Sequence, residues 1–160
     1  MIIKDCVVLD LEHFAPPGAF SEQISKRLCT HLNISRKELH RLLLERERDS
    51  NIIVQKGIAI ITFNIKQENK FEIALVRTKK GARFIEQGPP VHAVFIIIST
   101  PDEHNFSLHS LMWILQISES PGFRKKWMKA KTKKEIRLIV LEAFKEQYRS
   151  KLPAPEGAGV

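Results

Sequence analysis

The sequence predicts a three-layer α/β domain, a mixed β-sheet flanked by α-helices, and three observations carry that prediction. Strand and helix patterns follow one another as strand, two helices, three strands, three helices, an order that stacks helices on a sheet. One segment, "HAVFIIIST" (His92–Thr100), is apolar almost throughout, as a central strand covered on both faces must be. Two capping boxes, Ser35 with Glu38 and Thr132 with Glu135, mark helix starts independently of hydrophobic periodicity. At 160 residues the chain suits one domain with a substantial core, read as residues 1–150 followed by a flexible tail over 151–160.

The elements follow in order. "CVVLDL" (Cys6–Leu11) is short and β-branched, a strand that "APPG" then breaks. Phe20, Ile24 and Leu28 recur every four residues and predict an amphipathic helix over Phe20–Leu32. The helix opened by Ser35 turns Leu39, Leu42 and Leu43 inward and runs to about Arg48. "IIVQKGIAIITFNI" supplies the second strand, with Thr62 at its far end, and "FEIALVRT" (Phe71–Thr78) the third. These two are close enough, through "KQENK", to pair as antiparallel neighbours. A turn-rich loop holding Lys79, Lys80, Gly81 and "GPP" leads to the apolar fourth strand. Phe106, Leu111 and Leu115 mark a helix to about Ile117, and "FRKKWMKA" a short basic helix. The last helix, opened by Thr132, buries Ile136, Ile139, Val140, Ala143 and Phe144. The tail "KLPAPEGAGV" is rich in Pro and Gly and is expected to be disordered.

Composition narrows the function classes. No apolar run reaches the ~18–20 residues that cross a bilayer, and "MIIKDC" lacks the apolar core of a signal peptide. Cys6 and Cys29 form no CxxC, which is expected of reduced thiols in a cytoplasmic protein. No zinc spacing, HExxH or glycine-rich phosphate loop is present, so no metal or cofactor is implied. The net charge of +8 is concentrated: Arg124–Lys151 carries eleven Lys/Arg against three Glu, and the rest of the chain fifteen of each sign. Arg124, Lys125, Lys126 and Lys129 are therefore candidates to meet an anionic membrane surface, with Trp127 dipping into the headgroups. The other reading packs Phe123 and Trp127 on the sheet and leaves the lysines in solvent. Nucleic acid is disfavoured, because clustered charge stands here without a recognition-helix motif or an aromatic platform. Ile52 and Ile53 serve either a homodimer face or the core.

Three blocks carry a resemblance to a known family. "LLLERERDSNIIVQKGIAI" resembles a helix ending in an L-x-E-R-E-like run followed by G-[IV]-A-[IVL]. "HAVFIIISTPDEHNFSLHSLMWIL" resembles a buried strand, a loop and a histidine-bearing helix, and "VVLDL" with the two helices after it resembles the N-terminal third. Together they resemble the type-2 IIA domains of the sugar phosphotransferase system, the mannitol/fructose and nitrogen-regulatory kind, over nearly the whole chain to about residue 148. The resemblance implies the mannitol-type IIA fold. It also implies an ancestral activity: taking a phosphoryl group from the carrier protein HPr on a histidine and passing it to a IIB partner.

The residues that carry that activity are altered. The family's acceptor histidine follows G-[IV]-A-[IVL]-P, and here Ile61 and Thr62 stand in place of Pro-His. Its second histidine opens H-L-x-x-L, and here Ser107 takes that place ahead of Leu108 and Leu111. The active-site arginine is matched by Arg46, read either as an anion ligand or as one charge of the solvated run "ERERD". Imidazole, with a pKa of ~6.5, is nucleophilic at neutral pH, whereas an unassisted threonine hydroxyl is not. Thr62, Ser107 and Arg46 are thus expected as a vestigial phosphotransfer site in a domain that is not an enzyme. His104, in the preceding loop, is a candidate contact at the pocket mouth. His109 lies two positions, ~200°, around the helix from Ser107 and would need that helix rotated. His13, His31, His40 and His92 look incidental.

A subset of such domains sits at the cytosolic end of cation antiporters and amino-acid permeases, and "EHNFSLHSLMWILQI" resembles those. The resemblance implies a regulatory or sensor domain that modulates a membrane transporter from the cytoplasm or the inner membrane face. The alternative is a phosphotransferase-system IIA component that uses His104 or His109.

Overall fold

A computed structural model describes residues 5–151. Its five strands are β1 (Val7–Leu11), β2 (Ile53–Gln55), β3 (Ile58–Asn64), β4 (Phe71–Ala82) and β5 (Val91–Ser99). Its helices are α1 (Ala19–Leu32), α2 (Arg36–Glu47), α3 (His104–Ser118), α4 (Phe123–Lys129) and α5 (Lys133–Lys151). The strands form one mixed sheet in the order β1-β4-β5-β3-β2. β1 runs parallel to β4 and β3 parallel to β5, while β4–β5 and β2–β3 are antiparallel.

The three expected layers follow from the period-two alternation of strand side chains. Ala59, Ile61, Phe63, Val76, Val94 and Ile96 pack on one face with Phe20, Ile24 and Leu28 of α1 and Leu39 and Leu43 of α2. Ile58, Ile60, Leu75, Phe95 and Ile97 pack on the other with Ile114, Ile117, Phe123, Trp127, Ile136 and Val140 of α3–α5. β5 lies at the centre and is buried from Ala93 to Ser99, which accounts for its unbroken apolar run. Both capping boxes form: the Glu38 N–H donates to Ser35 Oγ (3.2 Å) and the Glu135 N–H to Thr132 Oγ1 (3.1 Å).

Several expectations are corrected. The stretch read as one second strand folds as two, because Gly57 at φ 83° turns the chain back between β2 and β3. The strands expected to pair across "KQENK" are not neighbours; β5 lies between them. Its fully apolar faces fill the centre of the sheet, which the shorter link cannot override. Thr62 is not the last residue of its strand, since β3 continues to Asn64. The expected loop at Lys79–Gly81 belongs to β4, where Gly81 at φ 91° shifts the register before Ala82 pairs with Val91. Ile52 does not form a dimer face; it is buried in the α1–α2 core, with Ile53 packed partly against it. Lys151 closes α5, and residues 152–160, where disorder was expected, lie outside the described residues.

Trp127 is the correction that matters most for function. It is fully buried, among Phe95 (5.7 Å between ring centroids) and Phe123 (5.6 Å). Its Nε1–H donates to the His92 carbonyl (2.9 Å). The i, i+4 pair of Phe123 and Trp127 is the inward stripe of α4, so Trp127 does not meet a membrane surface.

Candidate functional site

The sheet prepares one end of β3 for a site. β2 pairs only with Ile58 and Ala59, so Ile60–Asn64 has no strand on its outer side. On the inner side Thr62 pairs with Ile97 and Asn64 with Ser99 of β5 in parallel register. Thr62 and Asn64 are two apart and share the face of Ile58 and Ile60, the α3 side. Beyond Ser99 the chain passes a short 3-10 turn (Pro101–Glu103) and enters α3 at His104. The carboxyl ends of two parallel strands thereby meet a helix N-terminus, where α/β sheets commonly hold ligands.

A cavity of about 160 Å³ occupies this place, lined by Arg46, Thr62, Phe63, Asn64, Ser99, His104, Ser107, Leu108 and Leu111. The space suits a small oxyanion better than a drug-sized molecule, which occupies ~300–1,000 Å³. No lining residue is a carboxylate. Ser99 Oγ donates to Asn64 Oδ1 (3.0 Å), which fixes the cleft floor. No side chain caps α3, whose first-turn N–H groups favour negative charge.

Arg46 makes no ion pair or side-chain hydrogen bond among the described residues, although it stands in a charged run. Its neighbour Arg41 takes Glu38 (2.6 Å) and Glu45 (3.5 Å) instead. Glu47, next to Arg46, points into the protein and accepts from Ser21 Oγ (2.6 Å), while its Oε1 is buried without a partner. Burial pushes the Glu47 carboxyl up from the ordinary glutamate range, against the pull of the Ser21 hydrogen bond. The last turn of α2 thus buries its acid and leaves its arginine to the cleft.

The structure sorts the candidate residues. Thr62, Ser107, Arg46 and His104 line one cavity, whereas His109 is exposed on α3 and does not line it. Arg124, Lys125, Lys126 and Lys129 are exposed on α4, and Trp127 is buried beneath them. Sequence reasoning missed Asn64 and Ser99. Asn64 was findable two residues beyond Thr62 on the same strand face; Ser99 required the β3–β5 register. No cluster of three or more potential metal ligands occurs among the described residues, and none of their helices is long and apolar enough to cross a membrane.

Comparison with known proteins agrees with this architecture. The nitrogen regulatory protein IIA-Ntr from Neisseria meningitidis superposes with a TM-score of 0.73 at 21% identity, over 84% of this chain and 92% of that one. IIA mannitol from Escherichia coli superposes with a TM-score of 0.65 at 13% identity, over 83% and 94%. The mannitol-specific cryptic phosphotransferase enzyme IIA CmtB from Escherichia coli gives 0.65 at 14%, over 89% and 99%. At these identities the likeness is one of fold. No curated protein sequence matches the chain. Residues 3–143 match the family described as the phosphoenolpyruvate-dependent sugar phosphotransferase system, EIIA 2. With that match spanning most of its length, the chain belongs to the type-2 EIIA family of the phosphoenolpyruvate-dependent sugar phosphotransferase system.

Proposed function

We propose that this IIA domain is a non-catalytic regulatory module that binds a small anion in the cleft and thereby modulates a membrane transporter. One observation carries the proposal: β3 presents Thr62, Phe63 and Asn64 to the cleft and no imidazole, while Arg46 lines the same cavity with its guanidinium unpaired among the described residues. Anion binding needs the arginine, the hydroxyls and the helix N-terminus, and all three are present. A relay needs an imidazole whose phosphoryl linkage is labile, and a threonine ester is not. The transporter as partner rests on the resemblance of the α3 segment to transporter-linked domains. Beside the cleft, Leu108 (46% exposed) and Met112 (62% exposed) give α3 an apolar strip for a protein contact.

A second reading has its own support, because His104 lines the same cavity as Arg46. A His104 nitrogen would attack the phosphorus of phospho-HPr, forming one P–N bond as the donor's P–N bond breaks. Incubation with enzyme I, HPr and labelled phosphoenolpyruvate separates the two. The regulatory reading expects no label. Acid-labile label that disappears in His104→Gln would establish the transferase and end the regulatory proposal. For the partner, a photo-crosslinker at Met112 should capture an integral membrane protein in native membranes; capture of soluble proteins alone would remove the transporter from the proposal.

A further inference from the structure

A basic pocket lies at the other end of β3, away from the cleft. It occupies about 580 Å³ between the β2–β3 turn and α4, and its charged lining is Lys56, Arg124, Lys125 and Glu119. We propose that this pocket binds a phosphate group, carried either by a soluble phosphorylated compound or by a lipid headgroup.

The seat of Arg124 carries the inference. A Cβ on Gly57 would lie 2.9 Å from Arg124 Nη2 and 3.0 Å from Cζ, so the guanidinium rests directly on the glycine backbone. A side chain at this position would push the guanidinium aside, and Gly57 at φ 83° adopts a conformation that other residues resist. Both walls are held in place. The Gly57 carbonyl accepts from the His92 N–H (2.9 Å) and the Ala93 N–H (3.1 Å) at the start of β5. Arg124 sits on the first turn of α4, which Phe123 and Trp127 anchor in the core.

No internal ion pair accounts for this arrangement. Arg124, Lys56 and Lys125 have no salt bridge or side-chain hydrogen bond among the described residues, and Glu119 pairs with none of them. A guanidinium with its donors open, lining one pocket with two lysines, matches the fork geometry by which arginine grips phosphate. With both walls anchored, only side chains remain to be ordered on binding, which limits the entropy lost. Met128, 38% exposed, gives the pocket an apolar side for the organic part of a ligand. The inference does not depend on the cleft, because β3 spans ~20 Å between the two sites.

The test uses two probes on the full chain. Pyrophosphate is titrated against the ¹⁵N-labelled protein, and co-sedimentation is measured with phosphatidylcholine vesicles with and without phosphatidylglycerol. Saturable shifts at Gly57 and Arg124, weakened about tenfold or more in Arg124→Gln, support a soluble source. Capture by phosphatidylglycerol vesicles that Arg124→Gln abolishes and pyrophosphate competes away supports a headgroup. The control is the pair Lys133→Gln/Lys134→Gln, which removes nearby charge without touching the pocket and should leave binding nearly unchanged. Binding in neither arm, or equal loss in Arg124→Gln and the control, overturns the proposal.

Discussion

Arg77 and Arg46 stand in contrasting regions of the same domain. Arg77 is wholly buried in β4, and its guanidinium is engaged on every side. Its Nε and Nη2 donate to Asp10 of β1 (2.9 and 2.6 Å), and Nη1 donates to the carbonyls of Trp127 (3.1 Å) and Ala130. This knot ties β1, β4 and the end of α4 together. Arg46 is exposed at the cleft and donates to nothing among the described residues. An arginine offers five N–H donors, and what they already hold decides its role. With its donors taken by the protein, Arg77 holds elements in place. With its donors open, Arg46 meets the requirement of the proposed anion site.

The contrast can be broken or sharpened by substitution, beginning where the effect is greatest. Arg77→Met leaves Asp10 and two carbonyls without their buried partner and should cost about 3–5 kcal/mol in denaturant unfolding. A loss under about 1 kcal/mol would mean that the knot is dispensable. Gly57→Ala is next, at about 1–2 kcal/mol, because alanine resists the positive φ and displaces Arg124. A neutral result would show that the turn relaxes and the Arg124 seat is soft.

Glu47→Gln tests the buried acid beside Arg46. Because burial raises the native carboxyl pKa, the folded state holds its proton more tightly than the unfolded chain. The associated stability is complete below the ordinary glutamate range and is lost as pH rises through the elevated native value. Glu47→Gln should therefore flatten the stability–pH profile over that interval and leave the mutant relatively more stable above it. An unchanged slope would remove the buried-acid account. The smallest effect on stability is expected for Arg46→Gln, within about 0.5 kcal/mol, together with loss of oxyanion binding at the cleft. On the proposed regulatory reading, Thr62→His alone should give no phosphotransfer, since position 107 would still present a serine hydroxyl and no second imidazole; robust labelling of that variant would refute this account of the pair.

Much of this is legible in the sequence. Phe20, Ile24 and Leu28 announced α1 by spacing, and the two capping boxes located α2 and α5 by short-range chemistry. The cleft residues Thr62, Ser107 and Arg46 were found by motif position, and the cavity gathers all three. What escaped was long-range. Trp127 read as core or as a headgroup anchor, and only the position of α4 against Phe95 and His92 resolved it. The Arg77–Asp10 knot spans 67 residues, and no local pattern announces a pair at that separation. Strand order escaped for the same reason: "KQENK" permits a hairpin, but the burial of β5 on both faces puts it between its sequence neighbours.

By itself, the sequence determined the layers, the helix starts and the concentration of charge near the C-terminus. Periodicity, capping and composition act over a few residues and can be read where they stand. The tertiary structure alone decided which histidine reaches the cleft, which arginine is engaged, and which tryptophan is hidden. Each of these depends on groups distant in the chain meeting in space, where burial and partner geometry, and not residue type, set what a side chain does.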